Sequence, residues 1–267
     1  MKYSILIFLV MFISFNCSNQ KNGGTSIKTE EVKYTADGTT LKGFLSYDEN
    51  QEGVRPGIIV VHEWWGNNDY SKRRAEMLAK LGYIALAIDM YGNGKQADNP
   101  ADAGKFASEV MQNMGEARAR FDAGVNFLKE QSQTDTNQIA AIGYCFGGGV
   151  VLRMALMGDN LDGVVSFHGT LPTDSVKNAK DVKAKFLVCA GAADPFVPKE
   201  VVDKFRKAMD DAGADYKFIS YPGALHAFTN PAADSLGKKF NIPIAYNKEA
   251  DEKSWAAMKE FFKGLFK

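Results

Sequence analysis

The sequence predicts an α/β domain with a mostly parallel central sheet and helices on both faces. Three observations carry this. From about Glu30 onward, short segments rich in β-branched or apolar residues alternate with segments of helical spacing. Tyr83–Ile88 (YIALAI) is the apolar run expected of a strand buried on both faces. The order is strands first and then repeated β–α units, which implies parallel pairing through helical crossovers. A chain of 267 residues with no internal repeat and no composition break suits one such domain.

The elements follow in order. Glu31–Thr35, Leu41–Tyr47 and Gly57–Val61 read as strands, with the turn signal Ala36-Asp-Gly38 after the first. Ser71–Leu81 has helical spacing, with Ala75, Leu78 and Ala79 on one face. Ala101–Lys129 reads as one long helix with a break near Gly115. Gln138–Ile142 is a strand and Phe146–Met157 a helix. Leu161–Phe167 and Lys185–Cys189 are strands, Lys199–Ala212 is a helix, and Tyr216–Ser220 is a strand. Asn247–Phe266 closes the chain as a helix whose Trp255, Met258, Phe261, Phe262 and Leu265 share an apolar face.

The N-terminus is different in kind. Ile5–Ile13 is an unbroken apolar run behind Lys2. It is too short for a hydrocarbon core, which needs about 20 residues, but it suits the core of a signal peptide. Residues 1–16 are therefore expected to be removed before Cys17. Residues 17–29 are expected to form a polar, flexible tether, and 30–267 the folded domain. The arrangement resembles a bacterial lipoprotein signal, in which Cys17 is lipidated. Ser14 and Asn16 depart from that pattern, so a plain secretory signal and an uncleaved anchor stand beside it. The expected location is the bacterial cell envelope, with membrane contact only through the lipid.

Composition narrows the function. Thirty-two basic residues balance 32 acidic ones, which argues against an electrostatic grip on nucleic acid. Three cysteines and three histidines make neither a disulfide framework nor an obvious metal cluster. No cofactor, metal or protein partner is implied.

The sharpest motif is Gly143-Tyr-Cys-Phe-Gly147, followed by Gly148 and Gly149, between a predicted strand and a predicted helix. This is the nucleophile-elbow pattern with cysteine in place of serine. Small residues two before and two after are needed because the central residue sits on a cramped turn that lifts its side chain above the sheet. The helix starting behind Cys145 puts partial positive charge beside the sulfur and favours the thiolate. A thiolate nucleophile needs a base and a group that orients the base. Asp194 follows the strand Lys185–Cys189, and His226 follows the strand Tyr216–Ser220, so both fall at strand carboxyl ends. The order Cys145, Asp194, His226 is the triad order of α/β-hydrolases. His62 and His168 lie within or at the end of apolar strands and are set aside. The loop His62-Glu63-Trp64-Trp65-Gly66 closes the strand Gly57–Val61, where this fold places an oxyanion donor. Trp64 N–H and Phe146 N–H are the candidate pair. Glu63 reads either as a partner of the Cys145 thiol or as a solvated loop carboxylate.

With these motifs and Asp89-Met-Tyr91 and His226-Ala-Phe228 together, the chain resembles the dienelactone hydrolase family, of carboxymethylenebutenolidase type, from about Glu31 to the C-terminus. The resemblance implies an α/β-hydrolase fold, a Cys145–His226–Asp194 triad, and Glu63 as the partner of the resting cysteine. It implies a hydrolase of small carboxylic esters or lactones. Trp65, Tyr91, Asn93 and Asn230 are the candidate substrate-binding residues. Two of them are departures, because the namesake enzymes hold a substrate carboxylate with two arginines where this chain has Asn93 and Asn230. An amide gives a neutral donor in place of a charged fork, so a neutral ester or lactone is the expected substrate. Arg73 and Arg74 could replace the missing charge, but their spacing places them on a solvated helix face. Two other classes compete: a non-catalytic binding protein that uses the pocket as a receptor, and a thiol redox protein. Cys189 is expected to be a core residue in mid-strand.

Overall fold

Residues 24–174 and 182–267 are described by a computed structural model of the protein. The expected signal segment, Cys17 and the tether up to residue 23 lie outside the described residues. The chain begins with a hairpin of β1 (Ile27–Ala36) and β2 (Thr39–Asp48), antiparallel and in unbroken register from Ile27↔Asp48 to Ala36↔Thr39. Its two-residue turn, Asp37-Gly38, has both residues at positive φ, the geometry that matches the twist of paired strands. Residues 27–29, expected to belong to the tether, are the first three residues of β1, because their backbone is paired with β2.

Next come β3 (Arg55–Val61), α1 (Asp69–Ala79), β4 (Ile84–Ile88), α2 (Pro100–Gln112), α3 (Met114–Lys129), β5 (Thr134–Tyr144) and α4 (Phe146–Leu156). The remainder is β6 (Gly163–Phe167), β7 (Lys185–Gly191), α5 (Lys199–Asp211), β8 (Tyr216–Tyr221), α6 (Ala233–Phe240) and α7 (Lys248–Leu265). The eight strands form one sheet in the order β1-β2-β4-β3-β5-β6-β7-β8. From β4 to β8 every pairing is parallel, and β2 meets β4 antiparallel.

The sheet is buried on both sides, and the period-2 alternation of a strand shows it directly. In β3, Ile59 and Val61 pack with α3, α4 and α5 through Phe121, Val150, Leu152 and Phe205. Ile58 and Val60 pack on the opposite face with α1 and α7 through Leu78, Met258 and Phe262. The break expected near Gly115 in the long helix falls at Asn113. Asn113 ends α2, and its side chain accepts from Glu116 N at 3.3 Å to cap α3. The eight-residue α6 was not foreseen. It has no side-chain N-cap and carries Gly237 in its interior, so its local signal is weak.

The chain leaves β3 toward β4 on one side and later returns to add β5 on the other. β3 and β5 are thus neighbours whose connections run to opposite sides, and their carboxyl ends frame a crevice.

Candidate active site

Cys145 occupies the turn between β5 and α4 with φ 54° and ψ −116°, a conformation L residues avoid. The glycines around it are sterically obligatory. A Cβ on Gly143 would lie 2.0 Å from the Gly147 carbonyl oxygen, and one on Gly147 would lie 2.4 Å from the Val61 carbonyl oxygen. The turn is pinned on both flanks: Cys145 N donates to Phe167 O at 3.0 Å, and Gly147 N donates to His62 O at 3.1 Å.

Three side chains stand in hydrogen-bond succession above this turn. His226 Nε2 lies 3.0 Å from Cys145 Sγ, and His226 Nδ1 lies 2.7 Å from Asp194 Oδ2. The other oxygen of Asp194 accepts from Phe196 N at 2.8 Å, so the carboxylate is held at both ends. Asp194 and His226 are both buried. Burial pulls the imidazole pKa down, but the charge of Cys145 and the bond from Asp194 outweigh it and hold His226 up at about 10.

The loop after β3 is a tight turn in which Gly66 N donates to Glu63 O at 3.2 Å. Trp64 and Trp65 are its central residues, and among the described residues neither Trp64 N–H nor Phe146 N–H has a protein acceptor. His62 is buried under this turn, with Nδ1 2.5 Å from Glu63 O and Nε2 accepting from Met90 N at 3.2 Å. Since Nε2 accepts, Nδ1 carries the proton and donates to the turn carbonyl. Tyr91 completes the support, donating from its hydroxyl to Trp64 O at 2.9 Å and packing edge-on to His62 at 4.7 Å.

Several expectations change here. The Cys145 thiol meets His226, and Glu63 Oε2 accepts from Asn230 Nδ2 at 2.6 Å, so no contact pairs Glu63 with the resting cysteine. Nor is Glu63 solvated: it is buried, its Oε1 has no hydrogen-bond partner, and burial pushes its carboxyl up to about 7 despite the Asn230 bond. Asn93 is exposed, in a left-handed turn whose N–H donates to Thr40 O at 2.6 Å, away from the cavity. Tyr91 buttresses the loop and does not line the cavity over Cys145. Arg74 is not solvated. It is buried against Tyr70, Tyr144 and Trp255, paired with Asp251 at 2.7 Å, and donates to Thr229 O at 2.6 Å. Arg73 is exposed as expected.

Above Cys145 lies a cavity of about 280 Å³. Trp64, Trp65 and Phe146 form one wall and Phe196 stands beside His226. Ala107 and Met111 of α2 face Leu236, Ile242 and Ile244, which belong to α6 and the loop after it. Among the described residues its few polar groups are Glu63, Asn230, Ser108, Thr170, Cys145 and His226, and none is a lysine or arginine. The volume equals about nine waters at about 30 Å³ each, room for a small organic molecule. Nothing local in the sequence ties the α2 and α6 walls to the cavity. Among the described residues, no group of three or more His, Cys, Asp or Glu side chains could hold a metal ion.

A mostly parallel sheet with Cys145, Asp194 and His226 at strand carboxyl ends defines an α/β-hydrolase. Residues 41–266 match the model of the dienelactone hydrolase family, and the chain belongs to that family, whose members hydrolyse carboxylic esters and lactones. It is 32% identical over 231 residues to Protein usf of Aquifex pyrophilus, covering 82% of this chain and 97% of that one. A dienelactone hydrolase-like promiscuous phosphotriesterase from metagenomic libraries superposes with a TM-score of 0.85 at 34% identity, over 91% of this chain and all of that one. The solved protein m3DLH superposes with a TM-score of 0.85 at 36% identity, over 90% of this chain and 99% of that one.

Proposed function

We propose that the protein hydrolyses small, neutral, predominantly apolar esters or lactones through a thioester on Cys145. The observation that carries this is the unbroken succession from Asp194 to His226 to Cys145 Sγ at the floor of an apolar cavity. Sγ attacks the carbonyl carbon and its proton passes to His226 Nε2. Trp64 N–H and Phe146 N–H receive the negative charge that develops on the carbonyl oxygen. Collapse breaks the ester C–O bond, and His226 returns the proton to the departing alkoxide. Water then gives a proton to His226 and attacks the thioester. The second collapse frees the acid, and Sγ recovers its proton from His226. Asp194 accepts from Nδ1–H, which aims Nε2 at the sulfur and stabilises the imidazolium that His226 forms.

Substrate charge follows from the cavity wall. With no lysine or arginine among the described lining residues and with buried Glu63 in the wall, a substrate carboxylate would meet a like charge in a poorly solvated space. Asn230, facing Glu63, is committed to that carboxylate. The test is a pair of esters of matched size, one neutral and one carrying a free carboxylate, assayed at pH 8. The neutral ester is expected to have the higher kcat/KM by at least about tenfold, the worth of about 1.4 kcal/mol. Equal values, or preference for the acid, would remove the assignment of substrate class. Export and lipidation at Cys17 are part of the same proposal and are supported by the residue pattern alone. Mass spectrometry of the mature N-terminus decides them, with a diacylglyceryl cysteine expected and an unmodified terminus contradicting it.

A further inference from the structure

His168 stands one residue past β6 with φ 41°, a left-handed conformation that a histidine adopts at a cost. Its own N–H donates to Cys189 O at 2.8 Å, which anchors the backbone there. The ring is buried, edge-on to His226 at 5.4 Å and to Phe228 at 5.1 Å. Both ring nitrogens are used. Cys145 N donates to Nδ1 at 3.1 Å, shared with the bond to Phe167 O, and Nε2 lies 2.6 Å from Thr229 Oγ1.

The backbone donor dictates the direction of both bonds to the ring. A backbone N–H can only donate, so Nδ1 accepts and the ring proton sits on Nε2. Nε2–H therefore donates to Thr229 Oγ1, and the threonine hydroxyl shares a further hydrogen bond with Tyr70 Oη, 2.6 Å away. Arg74 Nε, which also can only donate, meets the same Tyr70 oxygen at 3.3 Å. Thr229 lies three residues after His226, and its carbonyl accepts from Arg74, which is itself paired with Asp251.

We propose that His168 is a positioning residue for the hydrolytic reaction: its imidazole ties the nucleophile turn to the loop that carries His226, and so sets the Sγ–Nε2 separation. Two strained residues, Cys145 and His168, face each other across one hydrogen bond, and the loop of the base hangs from the far side of the ring. A proton on Nδ1 would set donor against donor at Cys145 N and break the tie. The surroundings oppose that proton. Among the described residues, the titratable groups around the ring are Cys145 on the turn after β5, His226 on the loop after β8, Arg74 and Tyr70 on α1, and Tyr144 on β5. Burial and the charges of His226 and Arg74 hold the imidazole well below its ordinary range.

The inference rests on Cys145 as nucleophile, and its test is separable from that reading. The wild-type enzyme is labelled with 15N-histidine. It has three histidines, and His168 is assigned by the signal lost in His168→Asn. The ring is expected to be the Nε2–H tautomer and to stay neutral between about pH 5.5 and 8, where an ordinary histidine titrates. The Nδ1–H tautomer, or titration in that window, would overturn the proposal. Next, His168→Phe keeps the ring and loses both bonds. Its kcat for p-nitrophenyl acetate is expected to fall about ten- to a hundredfold, with KM little changed, as for a small misplacement of reacting groups. His168→Asn keeps an acceptor near Nδ1 and tolerates the left-handed backbone, so it is expected to recover most of kcat. Wild-type kcat in His168→Phe, or no recovery in His168→Asn, would refute the role. If His168→Phe does not fold, the tautomer and the Asn variant decide. An active enzyme that depends on Cys145 but is indifferent to His168 sinks this inference alone. Full activity in Cys145→Ala sinks the underlying mechanism.

Discussion

Glu63→Gln should stabilise the protein at pH 8 and leave it almost unchanged in relative terms at pH 4.5. The Glu63 carboxyl is buried and held at about 7 in the fold, against an ordinary value of 4.5. Between those two values the folded state binds a proton that the unfolded state has released. Stability therefore falls as pH rises through this window, and the full cost stands above about pH 7. At about 1.4 kcal/mol per pH unit, the gap between 4.5 and about 7 costs about 3 kcal/mol. Glutamine keeps the shape and can still accept from Asn230 Nδ2, but it carries no charge to desolvate. His226, held up at about 10, contributes stability that is present below about 6.5 and lost toward pH 10; both proteins keep this histidine, while its charge interaction with Glu63 is already contained in the Glu63 value of about 7. The measurement is urea unfolding of wild type and Glu63→Gln, followed by circular dichroism at pH 4.5, 6, 7 and 8. The difference between the two proteins should grow by about 3 kcal/mol across the series, or by about 6–12 °C in Tm for a domain of this size. Parallel stability curves would refute the reasoning, since they would mean that Glu63 ionises in the fold at its ordinary pH.

Asn230→Leu removes the hydrogen bond that favours the ionised form of Glu63, so its carboxyl should titrate higher than about 7. A 13C NMR titration of the Glu63 carboxyl reads this, and an unmoved midpoint would contradict the contact. Asp194→Asn should lower kcat by up to about 10⁴-fold, as the corresponding change does in serine triads, because His226 loses its orienting acceptor. A loss below about tenfold in steady-state ester hydrolysis would remove Asp194 from the triad. Asp251→Ala leaves the Arg74 guanidinium buried without its carboxylate, and urea unfolding should show a loss of about 3–5 kcal/mol. Unchanged stability would mean that the Thr229 carbonyl alone satisfies that charge.

The parts of this molecule that could be read from the chain were those with local causes. Gly143 and Gly147 mark the nucleophile turn because a Cβ at either would strike backbone. Tyr83–Ile88 reads as a buried strand because both of its faces are covered by helices. The meeting of Cys145, His226 and Asp194 was legible because Asp194 and His226 each closely follow an apolar strand. What escaped was set by packing between distant segments. Arg74 looks like a solvated residue until α7 brings Asp251 to it across 177 positions. Asn230 resembles a substrate contact in the sequence, yet it meets Glu63 from 167 residues away. His168 looks like the end of a strand, and only its left-handed backbone turns the ring toward Cys145 and Thr229. The α6 wall of the cavity is short and uncapped, so no local signal announces it.

In the proposed mechanism Cys145 carries the acyl group. The direct measurement is rapid acid quench of the protein during p-nitrophenyl acetate turnover, followed by peptide mass spectrometry, with Cys145→Ala run alongside. One acetyl group on the peptide containing Cys145, together with collapse of turnover in Cys145→Ala, is the predicted result. Undiminished turnover in Cys145→Ala, or an acetyl group found on another residue in a competent enzyme, would contradict the account.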